Sequence, residues 1–372
     1  MTSSRESDAR KARRIFVATH APISTGGGVE RFLTTLATTL TEDGFDVRMV
    51  FSDIKNPVYS MIRPFAAWAT GRKVRRVTER GDLTICNNYF SWNIPTDNSI
   101  VIYHGTEAGR ALCTRKVYSR LRNLLVGTVN SYLDRRAGMN RYVIAVSNSV
   151  KREIERYYGL KVDRVVPNAV DTSAFTPSED KSDHRRRLGL PIDKFLVCCI
   201  GSHDARKGSR LLRKTIIPSL SDEQHFVMIG RESRRGRGIT PLGEVPFGMM
   251  KIIYNACDAF LMPSYYEGCG LSTLEALSCG VPAVVSPTGV GCDLKSNKIL
   301  GEYVISCEEP QRYVDALRKL QNSQAEWMRV SLESRRYAVE FHDLSIFRRE
   351  YLSVINSISD QSSPSVGDKV LD

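Results

Sequence analysis

The stretch RRIFVATHAPISTGGGVERFLTTLATTL, residues 13–40, sets the reading of the whole chain. An apolar run of strand length leads into a loop that ends in Gly26-Gly27-Gly28. Apolar residues then recur at helical spacing (Phe32, Leu33, Leu36, Leu40), and a second strand, DVRMVFS, follows from Asp46. Strand, glycine loop, helix and strand in that order open a parallel α/β sheet. Working outward, LTICNN (83–88), SIVIYHG (99–105) and YVIAVSN (142–148) read as further buried strands. The basic run 110–138 between the last two carries Leu112, Val117, Leu121, Leu124 and Leu125 at helical spacing. Prolines and mixed charge over 163–187 mark a connection. The alternation then restarts at KFLVCCIGS (194–202) and continues through HFVMIG (225–230), CDAFLMPS (257–264) and GVPAVVS (280–286). The expected organisation is a flexible tail at 1–13, a Rossmann-like domain at 14–170 and a second at 171–335. A helix at 336–357 is expected to cross back to the first domain, ahead of a disordered tail at 358–372.

Bulk properties narrow the class. A chain of 372 residues exceeds one ordinary core, and 42% hydrophobic with 25% charged residues is the composition of a soluble globular protein. No run of about 18 apolar residues is present, and the polar, basic start lacks the apolar segment of a secretory signal. Nine cysteines, scattered and without a C-x-x-C pair, fit a reducing compartment and no zinc or disulfide framework. Residues 1–175 hold 27 Lys and Arg against 16 Asp and Glu, which is nearly all of the net charge of +12. That half is expected to face something anionic: phosphates, a membrane leaflet or nucleic acid. A generic solubility surface would have the same composition.

Open α/β sheets bind ligands at the carboxyl ends of their strands, and three such loops stand out. Gly26-Gly27-Gly28 lets a backbone approach a ligand at a helix N-terminus, although a plain tight turn has the same residues. In GSHDARKG (201–208) two cations, Arg206 and Lys207, sit where a helix dipole prefers anions. They suit a diphosphate, and equally two solvated surface charges. In SYYEGCGLSTLEALSCG (264–280), Glu267 and Glu275 flank a glycine-rich turn whose amides at Gly270, Leu271 and Ser272 offer an anion site. Ser272-x-x-Glu275 also fits a capping box, and Glu267 an exposed turn. Two carboxylates gripping hydroxyls around an anion site describe a nucleotide sugar.

Here the residues resemble a known family. Glu267-x7-Glu275 within PSYYEGCGLSTLEALSCGVPAVVS resembles the signature of the family 4 retaining glycosyltransferases (glycosyl transferases group 1). GGGVERFLTTLATTL, AVSNSVKREI, VPNAVDTSAF and the Arg-Lys-Gly at 206–208 are similar to four more of its elements, in the family's order. The resemblance implies a GT-B fold, two Rossmann-like α/β domains facing a central cleft. It implies Lys207 with Arg206 on the β-phosphate of the leaving nucleoside diphosphate, Glu275 on the ribose hydroxyls and Glu267 on the donor-sugar hydroxyls. The stretch Gly268, Cys269, Gly270, Leu271 and Ser272 would line the sugar and phosphate, Gly27 and Gly28 would approach the diphosphate, and His104 would sit near the reacting sugar. Glu267, His104 and Lys207 are thus the implied catalytic set. Three positions depart from the pattern: Ser202 stands where arginine is usual, Cys269 replaces a phenylalanine, and Thr288–Asp293 differs from the usual loop.

The implied reaction is a hexosyl transfer with retention, in glycan biosynthesis, from a UDP- or GDP-sugar to a lipid-linked or anionic glycan. Without a D-x-D at a strand end no metal is expected, since cations and helix dipoles take that role, and no other cofactor is expected. The basic helix at Arg110–Arg136 and the patch Arg72-Lys73-x-Arg75-Arg76 would rest on an anionic membrane surface, placing the protein in the cytoplasm and peripherally at the inner face of the membrane. A nucleic-acid-binding or nucleic-acid-glycosylating protein is the alternative, with no helix-turn-helix or RNP-like aromatics to favour it.

Overall fold

The computed structural model describes residues 13–19, 27–51, 59–96, 98–201, 204–231 and 236–362. Gly26, Ser202 and the expected tails (most of 1–13, and 363–372) lie outside the described residues. The chain divides into two compact units. The first comprises Met1–Tyr103, Tyr132–Ile144 and Arg348–Asp372, and the second His104–Ser131 and Ala145–Phe347.

Every strand expected from an apolar run forms. In the first sheet these are β1 (Arg14–Thr19), β2 (Asp46–Phe51), β3 (Leu83–Asn87), β4 (Ser99–Tyr103) and β5 (Tyr142–Ala145), joined by β6 (Arg164–Val165) in the order β2-β1-β3-β4-β5-β6. The second sheet holds β7 (Phe195–Ile200), β8 (Gln224–Ile229), β9 (Ile239–Gly243), β10 (Ala259–Met262) and β11 (Ala283–Val285) in the order β11-β10-β7-β8-β9. The ladders β1–β2, β1–β3, β7–β8 and β7–β10 are parallel. Strands covered by helices on both faces need apolar residues at successive positions, not alternate ones. Leu196, Val197, Cys198 and Cys199 of β7 are accordingly all buried.

In the first unit, the Gly28–Glu42 helix buries Phe32, Leu33, Leu36 and Leu40, each leucine contributing about 1.5–3 kcal/mol by leaving water. The final helix, Leu344–Ser362, runs into the stretch expected to be a disordered tail. Its residues from Arg348 onward belong to this unit, where the Tyr351 ring meets Phe32 edge-on at 6.0 Å and Arg348 bonds Asp43 at 2.7 Å. A helix at Tyr59–Val77, which no sequence feature announced, carries the Arg72–Arg76 patch. Arg72 lies 5.0 Å over the Trp68 ring, and Arg75 donates to the Asn93 carbonyl at 3.1 Å.

In the second unit, the stretch 163–187 is more ordered than a connection. It includes β6 and a Lys181–Arg187 helix, whose buried Arg185 donates to the carbonyls of Ala256 (2.9 Å) and Ile192 (2.7 Å) and to Asp258 (2.6 Å). A guanidinium that sews four carbonyl or carboxylate groups together, the Lys194 carbonyl included, is invisible to apolar periodicity, because Ala256 and Asp258 lie 71 and 73 residues along the chain. Strand β9 also escaped, being a partly exposed edge strand with Pro241 inside it.

Candidate functional site

Sheet topology picks out one place in the second unit. From β7 the chain moves outward to β8 and β9, then returns to lay β10 on the other side of β7. A parallel sheet opens a crevice at such a reversal, beyond the carboxyl ends of the two diverging strands. The loop after β7 holds Asp204, Arg206 and Lys207, and the loop after β10 holds Ser264, Tyr266 and Glu267.

The two loops are bonded to each other. Tyr265 N donates to the Arg206 carbonyl at 2.8 Å, and Arg206 Nη1 donates to the Tyr266 carbonyl at 2.8 Å. Gly208 has φ +78°, and a Cβ there would lie 2.0 Å from the Pro263 carbonyl oxygen, so only glycine allows this approach. Arg206 Nη1 reaches Glu267 Oε1 at 3.2 Å and Lys207 Nζ stands 4.0 Å from the same oxygen, which also accepts from Ser264 Oγ at 3.1 Å. Three residues singled out in the sequence, Arg206, Lys207 and Glu267, thus lie together in one cluster. Glu267 is no exposed turn residue, since its side chain is only 15% accessible. Burial alone would raise its pKa, but the charges of Arg206 and Lys207 and the Ser264 bond outweigh this and hold the carboxyl below its usual range. Arg206 is correspondingly raised, first by Glu267. Asp204 caps the Ala205–Lys207 turn by accepting from Arg206 N at 2.8 Å, which relieves the poor fit of two cations to a helix start.

The turn then runs into the Leu271–Ser278 helix, and here the capping-box expectation fails. Gly270 is the N-cap, in the left-handed region at φ +90°, and no side chain caps the helix. Glu275 instead accepts from the Tyr254 hydroxyl at 2.8 Å and is buried. A helix that starts two residues earlier than the capping box requires puts Ser272 inside its first turn, where its hydroxyl cannot serve as an N-cap acceptor. The amides of Leu271 and Ser272 belong to the first turn, which has no intrahelical acceptors. Cys269 is buried, its thiol pushed up to about 12 by burial, and its carbonyl accepts from Val290 N at 2.7 Å. The position therefore serves packing as a neutral thiol.

His104 stands beside this turn. A Cβ on Gly268 would lie 1.7 Å from the His104 carbonyl oxygen. Burial lowers the His104 imidazole to about 3, so it is neutral at physiological pH. The contact brings in residues that sequence reasoning missed. Tyr266 OH donates to Glu153 Oε2 at 2.8 Å and accepts from Thr106 N at 2.6 Å, while Thr106 Oγ1 donates to the same carboxylate at 2.5 Å. Burial raises Glu153, opposed by those hydroxyls. Ser147 Oγ donates to the Gly268 carbonyl at 2.9 Å. Glu153 and Ser147 lie inside the AVSNSVKREI element, so position was readable there and role was not. Gly27 and Gly28 open the Gly28–Glu42 helix of the first unit, Gly27 as an N-cap without a side-chain bond. Among the described residues no group of three or more His, Cys, Asp or Glu side chains is placed to hold a metal ion.

Comparison with known proteins gives the family and the fold. The family described as Glycosyl transferases group 1 matches residues 194–323, and Glycosyltransferase Family 4 matches 26–174. Together they cover three quarters of the chain. The chain belongs to the family 4, group 1 glycosyltransferases. It is 31% identical over 160 residues to a Bacillus subtilis glycosyltransferase named for teichuronic acid biosynthesis, covering 42% of this chain and 41% of that protein. It is 29% identical over 180 residues to the D-inositol 3-phosphate glycosyltransferase of Corynebacterium jeikeium, covering 42% and 43%. The chain thus spans about two fifths of the length of these curated relatives. Among solved structures, sucrose-phosphate synthase from Thermosynechococcus elongatus superposes with TM-score 0.76 at 16% identity, over 94% of this chain and 100% of that one. Anabaena HepE in complex with UDP and glucose does so with TM-score 0.69 at 17% identity, over 92% and 99%. The fold is GT-B.

Proposed function

We propose that this chain transfers a sugar, with retention at the anomeric carbon, from a UDP- or GDP-sugar to a lipid-linked or anionic glycan acceptor. The observation that carries the reading is the convergence of Arg206, Lys207 and Glu267 at the β7/β10 reversal. A diphosphate arriving there takes over Arg206 and Lys207, which frees Glu267 Oε1 to accept from donor-sugar hydroxyls. The first-turn amides at Leu271 and Ser272 and the two cations then stabilise the charge that develops on the departing β-phosphate. Glu275, held by Tyr254, accepts from the ribose diol. His104, neutral and next to the turn, offers a hydrogen bond without adding charge. On this reading the leaving phosphate takes the acceptor's proton on the face it vacates. No divalent metal is required, so chelation leaves the rate unchanged.

For the acceptor side, the support is the basic first half together with Leu121 and Leu124, which are 69% and 61% exposed beside Arg120 and Arg122. Exposed leucines among arginines suit the surface of an anionic leaflet. No described helix is long and apolar enough to cross a membrane, and the reading is of peripheral attachment at the cytoplasmic face. Vesicles of phosphatidylglycerol should retain the protein and lose it when Arg120 and Arg122 are neutralised. Unchanged retention at physiological salt rejects the attachment.

The test of the donor site is thermal stabilisation by a panel of nucleoside diphosphates without metal, on wild type and Glu275→Ala. Selective stabilisation by one diphosphate, weakened in the variant, is expected. No response to any of them would sink the reading.

A further inference from the structure

The second unit contains a cavity of about 720 Å³, walled among others by Arg115, Lys116, Ser264, Tyr265, Ser286 and Glu308. We infer that this cavity is the acceptor subsite and that it takes an acidic saccharide, a sugar carrying a carboxylate or a phosphate. The inference rests on the glycosyltransferase reading above and adds to it the place and charge of the acceptor.

Three observations carry it. The first is position: Ser264 lines the cavity and donates to Glu267 at 3.1 Å, so a ligand inside ends one side chain away from the carboxylate assigned to the donor sugar. Size is the second, for the volume lies within the range of small-molecule sites, and its hydroxyl-bearing walls suit a sugar. The third is charge. The Arg115 guanidinium makes no hydrogen bond or ion pair among the described residues. Lys116 Nζ bonds Glu308 Oε1 at 2.6 Å, with the two side chains 67% and 74% accessible. The lysine holds that carboxyl below its usual range. A pair this exposed is weak, so an arriving anion displaces Glu308 and finds two cations. A neutral sugar has nothing to offer them.

This predicts opposite signs for neighbouring substitutions, which a purely structural role would not produce. Binding of glucuronic acid, glucose 6-phosphate and glucose to the full chain is measured by saturation-transfer NMR, with Arg115→Ala, Lys116→Ala and Glu308→Gln, each checked for unchanged melting. The acids should bind at least about fivefold more tightly than glucose, the Arg115 and Lys116 variants should lose that margin, and Glu308→Gln should widen it about two- to threefold. Glucose itself should not respond. Preference for glucuronic acid alone identifies a carboxylate ligand, and preference for glucose 6-phosphate alone a phosphate. Either supports the inference. Equal binding of all three sugars, or weaker acid binding by Glu308→Gln, overturns it. The same samples are titrated with UDP and GDP. A chain that responds to a diphosphate but not to the acids rejects this subsite alone, whereas no response to either diphosphate rejects the parent reading and the subsite with it.

Discussion

The two sheets reverse their strand order in the same way, yet the loops at the two reversals have different chemistry. In the first sheet the reversal lies between β1 and β3, and its described loop ends carry Gly27, Gly28 and the uncharged run Asn87–Ser91. Asn87 Nδ2 donates to the Ala18 carbonyl at 3.3 Å, a bond between strand ends. In the second sheet, between β7 and β10, Asp204, Arg206, Lys207 and Glu267 crowd one point. The difference teaches that topology supplies a crevice at each reversal and side chains decide whether it can hold an anion.

The most severe way to break this comparison is to remove charge from the second reversal. Lys207→Ala should lower kcat/KM by roughly 10²–10³, the cost of losing one preorganised charge stabiliser. Gly28→Ala should cost far less, since its backbone and not a charge is at stake. Equal losses in steady-state assays of the two variants would erase the distinction.

Next in size comes Gly268→Ala. A methyl 1.7 Å from the His104 carbonyl forces the two backbones apart. Overpacking of this kind costs about 1–3 kcal/mol, readable as a lower denaturation midpoint. Gly27→Ala meets only the movable Glu30 carboxylate at 2.3 Å and should unfold close to wild type.

Tyr266→Phe keeps the ring but leaves Thr106 N and Glu153 without their shared hydroxyl. About 1–3 kcal/mol is expected for groups left unsatisfied in a buried place. Combining it with Glu153→Gln should cost less than the sum of the single changes, because both remove the same bond. Strict additivity in urea melts would argue against a network.

The smallest effect is a pH signature. Glu267 is depressed in the folded chain, so its pairing contributes stability that is fully present above the unfolded carboxyl value of about 4.3. That contribution is lost as pH falls through the lower folded value. The stability difference between wild type and Glu267→Gln should therefore be flat from pH 8 to 5 and shrink only in stronger acid. Shrinkage already near pH 6 would mean that Arg206 and Lys207 do not hold the carboxylate.

How much of this was legible depended on range along the chain. The apolar runs foretold nine of the eleven described strands, all but β9 and the short β6 inside the expected connection, because burial on both faces leaves a local mark. Glu267, Glu275, Arg206 and Lys207 were legible as candidates because glycine turns and misplaced charges are local too. The convergence of Arg206 and Lys207 on one Glu267 oxygen was not, since 60 residues separate Arg206 from Tyr266, its other partner. Nor was the fate of the capping box: Ser272-x-x-Glu275 is a sound local pattern, overruled by a tyrosine 21 residues away. The sequence by itself thus determined the parallel strands of two sheets, the family and the loops in which the donor site is proposed. Only the tertiary structure decided which charges neutralise one another, which carboxylate is buried and that Ser264, which bonds Glu267, lines a cavity. Those depend on distances between residues remote in sequence, and the energy of a charge depends on its surroundings far more than on its neighbours in the chain.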